Sequence, residues 1–446
     1  MTRGRTPRRV PQRGVVFPMI QKLFDFIESC PTACHTAATV GRMLEEAGFT
    51  QLQETEPWAL EPGRGYFTTR GMSALIAFRV PKKDFRAFSI VAPHGDSPSF
   101  KVKESPELRG EGFTRLNTEV YGGALPKRWV DRPLSVAGRL ALRTETGVEA
   151  KLVDIPRDLL IIPGLAPHLD RELANQSAAP DLQKETLPLL GAEDADLLEL
   201  LARSVGAEKK DVLSHDLYLY VRQRGAVLGT GEELIAAPRL DDLECVFSAV
   251  TAFLQSENPE NATVCALFDN EETGSLTRQG ADSTFLADVL SRVCQAMGKG
   301  EEEKLRAIQG GFLLSADNAH GAHPNYPEKS DPTNRCRLNG GVVVKHSTRY
   351  ASDAVTAAVF QRICEKAGVP TQAYYNNSKL AGGSTLGNIS GSHVSIPTVD
   401  IGLAQLSMHS PVETAGARDL GYMVAAMAAF YRSAVTREGD GSYTIA

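Results

Sequence analysis

Two adjacent glutamates, Glu271 and Glu272, stand in Phe268-Asp269-Asn270-Glu271-Glu272-Thr273-Gly274-Ser275, directly after the apolar, β-forming run 263–267. A strand running out into a polar, glycine-containing loop is the expected setting. Neighbouring carboxylates there can divide labour, one binding a cation while the other moves a proton. On an extended chain adjacent side chains point to opposite sides, which would keep the two jobs apart. Which glutamate does which stays open on this pattern, and an isolated acidic turn is more often simply solvated, so the pair gains weight only from partners.

Partners exist. His94 and Asp96 follow the short buried run 87–92, Asp317 follows 311–315, His409 lies in the loop 405–410, and Asp241 precedes a helix over 243–254. Open α/β sheets bind ligands beyond the carboxyl ends of their strands, so these clusters point to one shared site. Imidazoles and carboxylates without thiolates suit Zn²⁺, or Mn²⁺ or Co²⁺, and disfavour Fe–S clusters and Cu(I). The five ligand groups, at His94/Asp96, Asp241, Glu271/Glu272, Asp317 and His409, outnumber what one catalytic zinc normally takes, and two cations sharing a carboxylate fit better. His320 and His323, close to Asp317, are further candidates, expected as supporting rather than ligating residues.

Around these residues the chain alternates strand and helix. Helical spacing of apolar residues predicts helices over 16–27 and 35–47, a hairpin over 63–70 and 73–80, then the strand 87–92. From about residue 101 the texture changes to short β-type runs, a proline-rich passage over 159–169 and an alternating run 216–222; strand–helix alternation resumes at 235. The middle block reads as an inserted domain within an α/β sandwich whose sheet is largely parallel. The predicted division is a disordered basic tail over 1–15, a discontinuous catalytic domain over 16–100 and 236–446, and an insertion over 101–235.

Composition bounds the rest. At 446 residues, two domains are expected. A net charge of −6 argues against a nucleic-acid binder, and no apolar run approaches membrane-spanning length. The seven cysteines are scattered, with no Cys-x-x-Cys pair, which suits a reducing, cytoplasmic setting. Arg3, Arg5, Arg8, Arg9 and Arg13 make the first fourteen residues basic, but no apolar core of a secretory signal follows.

The chain resembles the aspartyl aminopeptidases, metallopeptidases of the co-catalytic zinc type. The matching motifs are His94-Gly95-Asp96-Ser97-Pro98, Pro238-Arg239-Leu240-Asp241-Asp242-Leu243, Asp269-Asn270-Glu271-Glu272-Thr273-Gly274-Ser275, Ser315-Ala316-Asp317-Asn318-Ala319-His320 and Met408-His409-Ser410, supported by Trp129-Val130-Asp131-Arg132-Pro133-Leu134, His323-Pro324-Asn325-Tyr326 and Arg349-Tyr350-Ala351-Ser352. They occur in the family's order between about 20 and 432. In the first motif the family commonly carries Thr where this chain has Gly95.

The resemblance implies a three-layer α/β/α sandwich with a mixed, largely parallel central sheet and an inserted β-rich dimerisation domain. It implies that His94 binds one divalent metal ion and His409 the other, most readily zinc, with Asp241 bridging and Glu272 and Asp317 completing the two spheres. Asp96 would orient the His94 imidazole and Glu271 would be the general base. Lys345 would supply the cation for an acidic first side chain, with Tyr350 and the loop Gly382-Gly383-Ser384-Thr385-Leu386-Gly387 beside the pocket; that loop lacks the Gly-Lys-Ser/Thr ending of a phosphate loop. His168 would reach the active site of a neighbouring subunit. Dimers would build a tetrahedral shell of twelve chains acting on peptides with a free N-terminus. Removal of N-terminal Asp or Glu is the activity implied; the alternatives are a broader or neutral preference, hydrolysis of N-acyl amino acids, and a catalytically silent assembly protein.

Overall fold

Phe88–Ala92, Ala262–Leu267, Phe312–Ala316 and Thr398–Gly402 are buried along their whole lengths. Strands read so when both faces of a parallel ladder are covered. In the computed structural model, which describes residues 13–169, 180–380, 382–383 and 385–446, the four pair in parallel in the order 262–267, 88–92, 312–316, 398–402. The antiparallel hairpin Gly65–Arg70 and Ala74–Arg79 and the short Thr50–Gln51 extend one side; Val342–Lys345, antiparallel to 398–402, and Thr371–Tyr374 extend the other. The result is a mixed nine-stranded sheet in a mixed α/β fold.

Successive residues of these strands feed two different apolar cores. Val91, Leu267, Leu314 and Ala316 pack with the helices Arg13–Ser29, Ala33–Glu46, Leu240–Leu254, Ala354–Ala367 and Asp419–Arg432, while Ile90, Ala266 and Leu313 pack with Phe285–Ala296, Glu301–Gln309 and Leu386–His393. The two-residue period of a strand divides one sequence between both faces. Each fully buried Leu or Val contributes about 1.5–3 kcal/mol of burial. The helices Glu301–Gln309 and Leu386–His393 were not apparent in the sequence; the first is highly charged and buries only Ala307.

A second sheet has seven strands. Val212–Val221 pairs along Pro133–Arg143 and meets Ser99–Gly110 at Tyr218 opposite Lys101, with Phe113–Tyr121, Leu189–Ala192, Leu160–Ile161 and Val148–Asp154 completing it around a core of its own. This sheet takes residues from 99 to 221. Ala226–Leu228, inside the span 101–235, and Leu234–Ala237, which crosses its end, instead pair into a five-stranded sheet with Glu413–Gly416, Ala404–Leu406 and Ala319–His320.

The expected tail lies outside the described residues up to residue 12, and Arg13 already opens the first helix. Ser384 of the glycine-rich loop also lies outside them. Among the described residues no helix is long and apolar enough to cross a membrane, and all seven cysteines are free.

Candidate metal centre

The fold delivers the candidate ligands from three directions. His94 lies two residues beyond Phe88–Ala92 and Asp317 one residue beyond Phe312–Ala316, at neighbouring strand ends. Asp241 sits at the start of Leu240–Leu254, where its φ of −84° and ψ of 105° depart from the helix. His409 follows Ala404–Leu406, a strand of the five-stranded sheet rather than of the central one.

The glutamate pair is not on an extended chain. Asn270, with φ of 61°, ends the strand's run, and Glu271–Thr273 forms a single 3₁₀ turn. The expectation that strand alternation separates the two side chains is therefore replaced by turn geometry. The backbone N–H groups of both glutamates donate to one carboxylate, Glu271 to Oδ1 of Asp96 at 3.1 Å and Glu272 to Oδ2 at 3.2 Å.

The donor atoms converge around two points. Nε2 of His94 lies 3.6 Å from Oδ1 of Asp241 and 3.9 Å from Oδ1 of Asp317. Nε2 of His409 lies 3.7 Å from Oδ2 of Asp241 and 3.5 Å from Oε2 of Glu272. Ligands about 2.0–2.2 Å from a tetrahedral cation stand roughly 3.4 Å apart, so these separations suit groups arranged around ions better than groups bonded to each other. Asp241 Oδ1 and Glu272 Oε1 are buried and accept no hydrogen bond. Buried carboxylate oxygens without donors are costly unless a cation takes them, so the residues fit a metal.

Both rings have their other nitrogen occupied. Nδ1 of His94 faces the backbone oxygen of Asp96 at 3.2 Å and its Oδ1 at 3.3 Å; Nδ1 of His409 faces the carbonyl of Gly123 at 3.1 Å. Both sets of partners are acceptors, so each Nδ1 donates to them and Nε2 is the nitrogen turned toward the carboxylate cluster.

Electrostatics point the same way. Asp96, Asp241, Asp242, Glu271, Glu272 and Asp317 crowd against Lys345 and two imidazoles. Burial pushes Glu271 up to about 8, against the pull of His94 and with the charges of Asp317, Asp96 and Asp241 adding to it. Burial and then Asp241 raise Glu272 well above the carboxylate range. Burial would raise Asp317 too, but Lys345 and His94 hold it below the usual range. This surplus of buried negative charge asks for cations.

Gly95 has an explanation in space. A Cβ there would meet Leu267 Cδ1 at 3.1 Å and Thr36 Cγ2 at 3.3 Å, so a larger residue needs both neighbours to give way.

The remaining expected residues divide. Lys345 is buried, its Nζ 3.1 Å from Asp317 Oδ2 and 5.5 Å from the Tyr350 ring centre. Gly383 is exposed, and His168 lies on an exposed turn; neither joins the cluster's contacts. His320 and His323 are likewise outside the ligand groups. Asp242, whose Oδ2 accepts the N–H of His94 at 3.3 Å, was missed, although it adjoins Asp241. So was Glu413, 1% exposed, which accepts the N–H of Asp241 at 2.9 Å and of His409 at 2.7 Å. Nothing local to its sequence marks it.

Comparison with known proteins decides the family. Residues 26–431 match the family described as Aminopeptidase I zinc metalloprotease (M18). The chain belongs to the M18 family. A Clostridium novyi (strain NT) relative named "Probable M18 family aminopeptidase 2" is 42% identical over 423 residues, 92% of this chain and 98% of that one. Among solved structures, one described as the Ape4 and Nbr1 complex superposes with a TM-score of 0.90 at 33% identity, over 95% of this chain and 87% of that one. The S. cerevesiae mApe1 dodecamer superposes with a TM-score of 0.82 at 27% identity, over 94% of this chain and 97% of that one. As an M18 protein the chain is a zinc metallo-aminopeptidase, a hydrolase acting on N-terminal residues.

Proposed function

We propose that this M18 enzyme works with two divalent cations, most readily zinc, with Mn²⁺ or Co²⁺ as substitutes, and removes N-terminal Asp or Glu from peptides. The observation that carries the reading is the division of Asp241, one oxygen toward His94 and the other toward His409. His94, Asp317 and Asp241 would hold one ion; His409, Glu272 and Asp241 the other. When bound, such ions supply Lewis acidity, polarising the scissile carbonyl and lowering the pKa of the attacking water. Glu271 would be the general base, holding a proton from the attacking water and giving it to the leaving amine. Burial first, and then the charges of Asp317, Asp96 and Asp241, push Glu271 up, and bound cations would offset the part due to those charges. Asp96 holds the His94 tautomer and the Glu271–Glu272 turn together.

The acidic preference rests on Lys345. It is a buried cation beside the centre, and burial there favours keeping only a charge with a dedicated anion. Tyr350 flanks it, and the Gly383 loop would border the substrate's first side chain.

The nine-stranded sheet with an apolar core on each face is read as a three-layer α/β/α sandwich, and the seven-stranded sheet as the dimerisation domain of a tetrahedral dodecamer. His168, exposed on that domain, would serve the neighbouring subunit's site. The solved mApe1 relative is a dodecamer, which supports this assembly. Free cysteines throughout support a cytoplasmic setting. Light scattering should give a mass near twelve chains; a fully active monomer removes the shell.

The test is hydrolysis of Asp-, Glu- and Leu-linked chromogenic amides by parent, chelated and zinc-restored protein. Activity on the acidic amides should vanish on chelation and return with zinc. Equal rates on Asp and Leu amides would replace the acidic preference with a broad one, and activity surviving complete metal removal would overturn the mechanism.

A further inference from the structure

The strand Phe113–Tyr121 belongs to the seven-stranded sheet, yet its end and the two residues after it touch the metal centre at three points. The Tyr121 hydroxyl donates to Asp96 Oδ2 at 2.8 Å and accepts from Asn270 Nδ2 at 2.9 Å. Asp96 receives the N–H groups of Glu271 and Glu272, and Asn270 is the left-handed residue that starts their turn. Gly122 lies against Glu272: with φ of 66°, it is left-handed, and a Cβ there would come within 2.9 Å of Glu272 Cβ. Gly123 lies against His409: its carbonyl takes the Nδ1 proton, and a Cβ would stand 2.6 Å from that nitrogen.

We propose that Tyr121-Gly122-Gly123 is a positioning element through which the seven-stranded sheet sets the geometry of the metal centre. The proposal rests on Glu272 and His409 being ligands of one ion. Each contact then has a separate task. Gly123 sets the tautomer of His409 and its distance, because a carbonyl can approach that closely only with no side chain in the way. Gly122 leaves room for the Glu272 side chain. Tyr121 ties the Glu271–Glu272 turn to the sheet, since its ring is itself seated edge-on against Tyr218 with centres 5.3 Å apart. Movement of the sheet therefore reaches a ligand and the base together. The sheet does more than mediate assembly: the centre is incomplete without it.

The experiment compares Tyr121→Phe, Gly123→Ala and, on the exposed side of the same strand, Glu119→Ala. Zinc affinity is read by competition with a chromophoric chelator, ligand geometry by the visible absorption of the Co²⁺-loaded protein, and folding by circular dichroism. Tyr121→Phe and Gly123→Ala should each weaken zinc by about 10–100-fold and alter the Co²⁺ spectrum, and Tyr121→Phe at saturating zinc should lower kcat with little change in KM. Glu119→Ala should match the parent. Should Gly123→Ala not fold, Tyr121→Phe decides, because it removes one oxygen and keeps the ring. Parental affinity and spectrum in folded Tyr121→Phe would overturn the inference while leaving the metal reading intact. A parent that binds neither ion would remove both.

Discussion

Nζ of Lys345 lies 3.1 Å from Oδ2 of Asp317, with both residues buried, so the cation proposed for substrate is bonded to a proposed ligand. Two roles can be separated by one substitution. Lys345→Met should reduce kcat/KM for Asp amides about 10–100-fold more than for Leu amides, the worth of a charged hydrogen bond. A uniform loss on both substrates, accompanied by lost zinc, would assign Lys345 to Asp317 alone.

The two glutamates should fail differently. Glu271→Gln should lower kcat about 10²–10⁴-fold while zinc content after dialysis stays at the parent's level. Glu272→Gln should lose zinc, because an amide oxygen replaces a charged ligand beside His409. The reverse pattern would exchange their roles.

Metal removal should also register in stability. The crowded carboxylates lose their counter-charge, so chelated protein should melt lower and zinc should restore it. At roughly 100 times its Kd, zinc binding is worth about 2.7 kcal/mol. An unchanged melting temperature would show that the cluster holds no ion in the folded protein.

Glu244, in the helix Leu240–Leu254, predicts a pH effect on stability. Both its oxygens are buried without hydrogen bonds, and burial, then the charge of Asp419, push it up to about 8. Its folded pKa exceeds the unfolded value near 4.3, so between these the folded state holds the proton more tightly. Stability thus falls as pH rises through that window, by up to about 1.4 kcal/mol per unit, and levels off above it. Glu244→Gln, which mimics the protonated form, should gain in melting temperature over the parent from about pH 5 to about pH 9. A constant offset at both ends would contradict this origin.

Much of the site could be read along the chain because His94 and Asp317 stand just beyond strands whose burial the sequence advertises. The runs before His94 and Asp317 are apolar except for Ser89 and Ser315, and their alternation between two cores is the physical reason they sit side by side. The identities and order of His94, Asp96, Asp241, Glu271, Glu272, Asp317 and His409 were likewise legible.

The local form of the glutamate pair was not. Strand propensity ends at Leu267, but a left-handed Asn270 and the carboxylate of Asp96, far back in the chain, bend Glu271–Thr273 into a 3₁₀ turn. No window around Glu271 contains Asp96. For the same reason Glu413, which ties Asp241 to His409, carried no signal, and Gly123 gave no sign of its contact with a residue 286 positions away. By itself, then, the sequence determined which side chains would meet, because strand burial and chemistry are encoded residue by residue. Only the tertiary structure decided how they are held. Turn geometry, ring tautomers and the space that glycine leaves depend on atoms that the chain brings together after long separations, through the packing of one sheet against another.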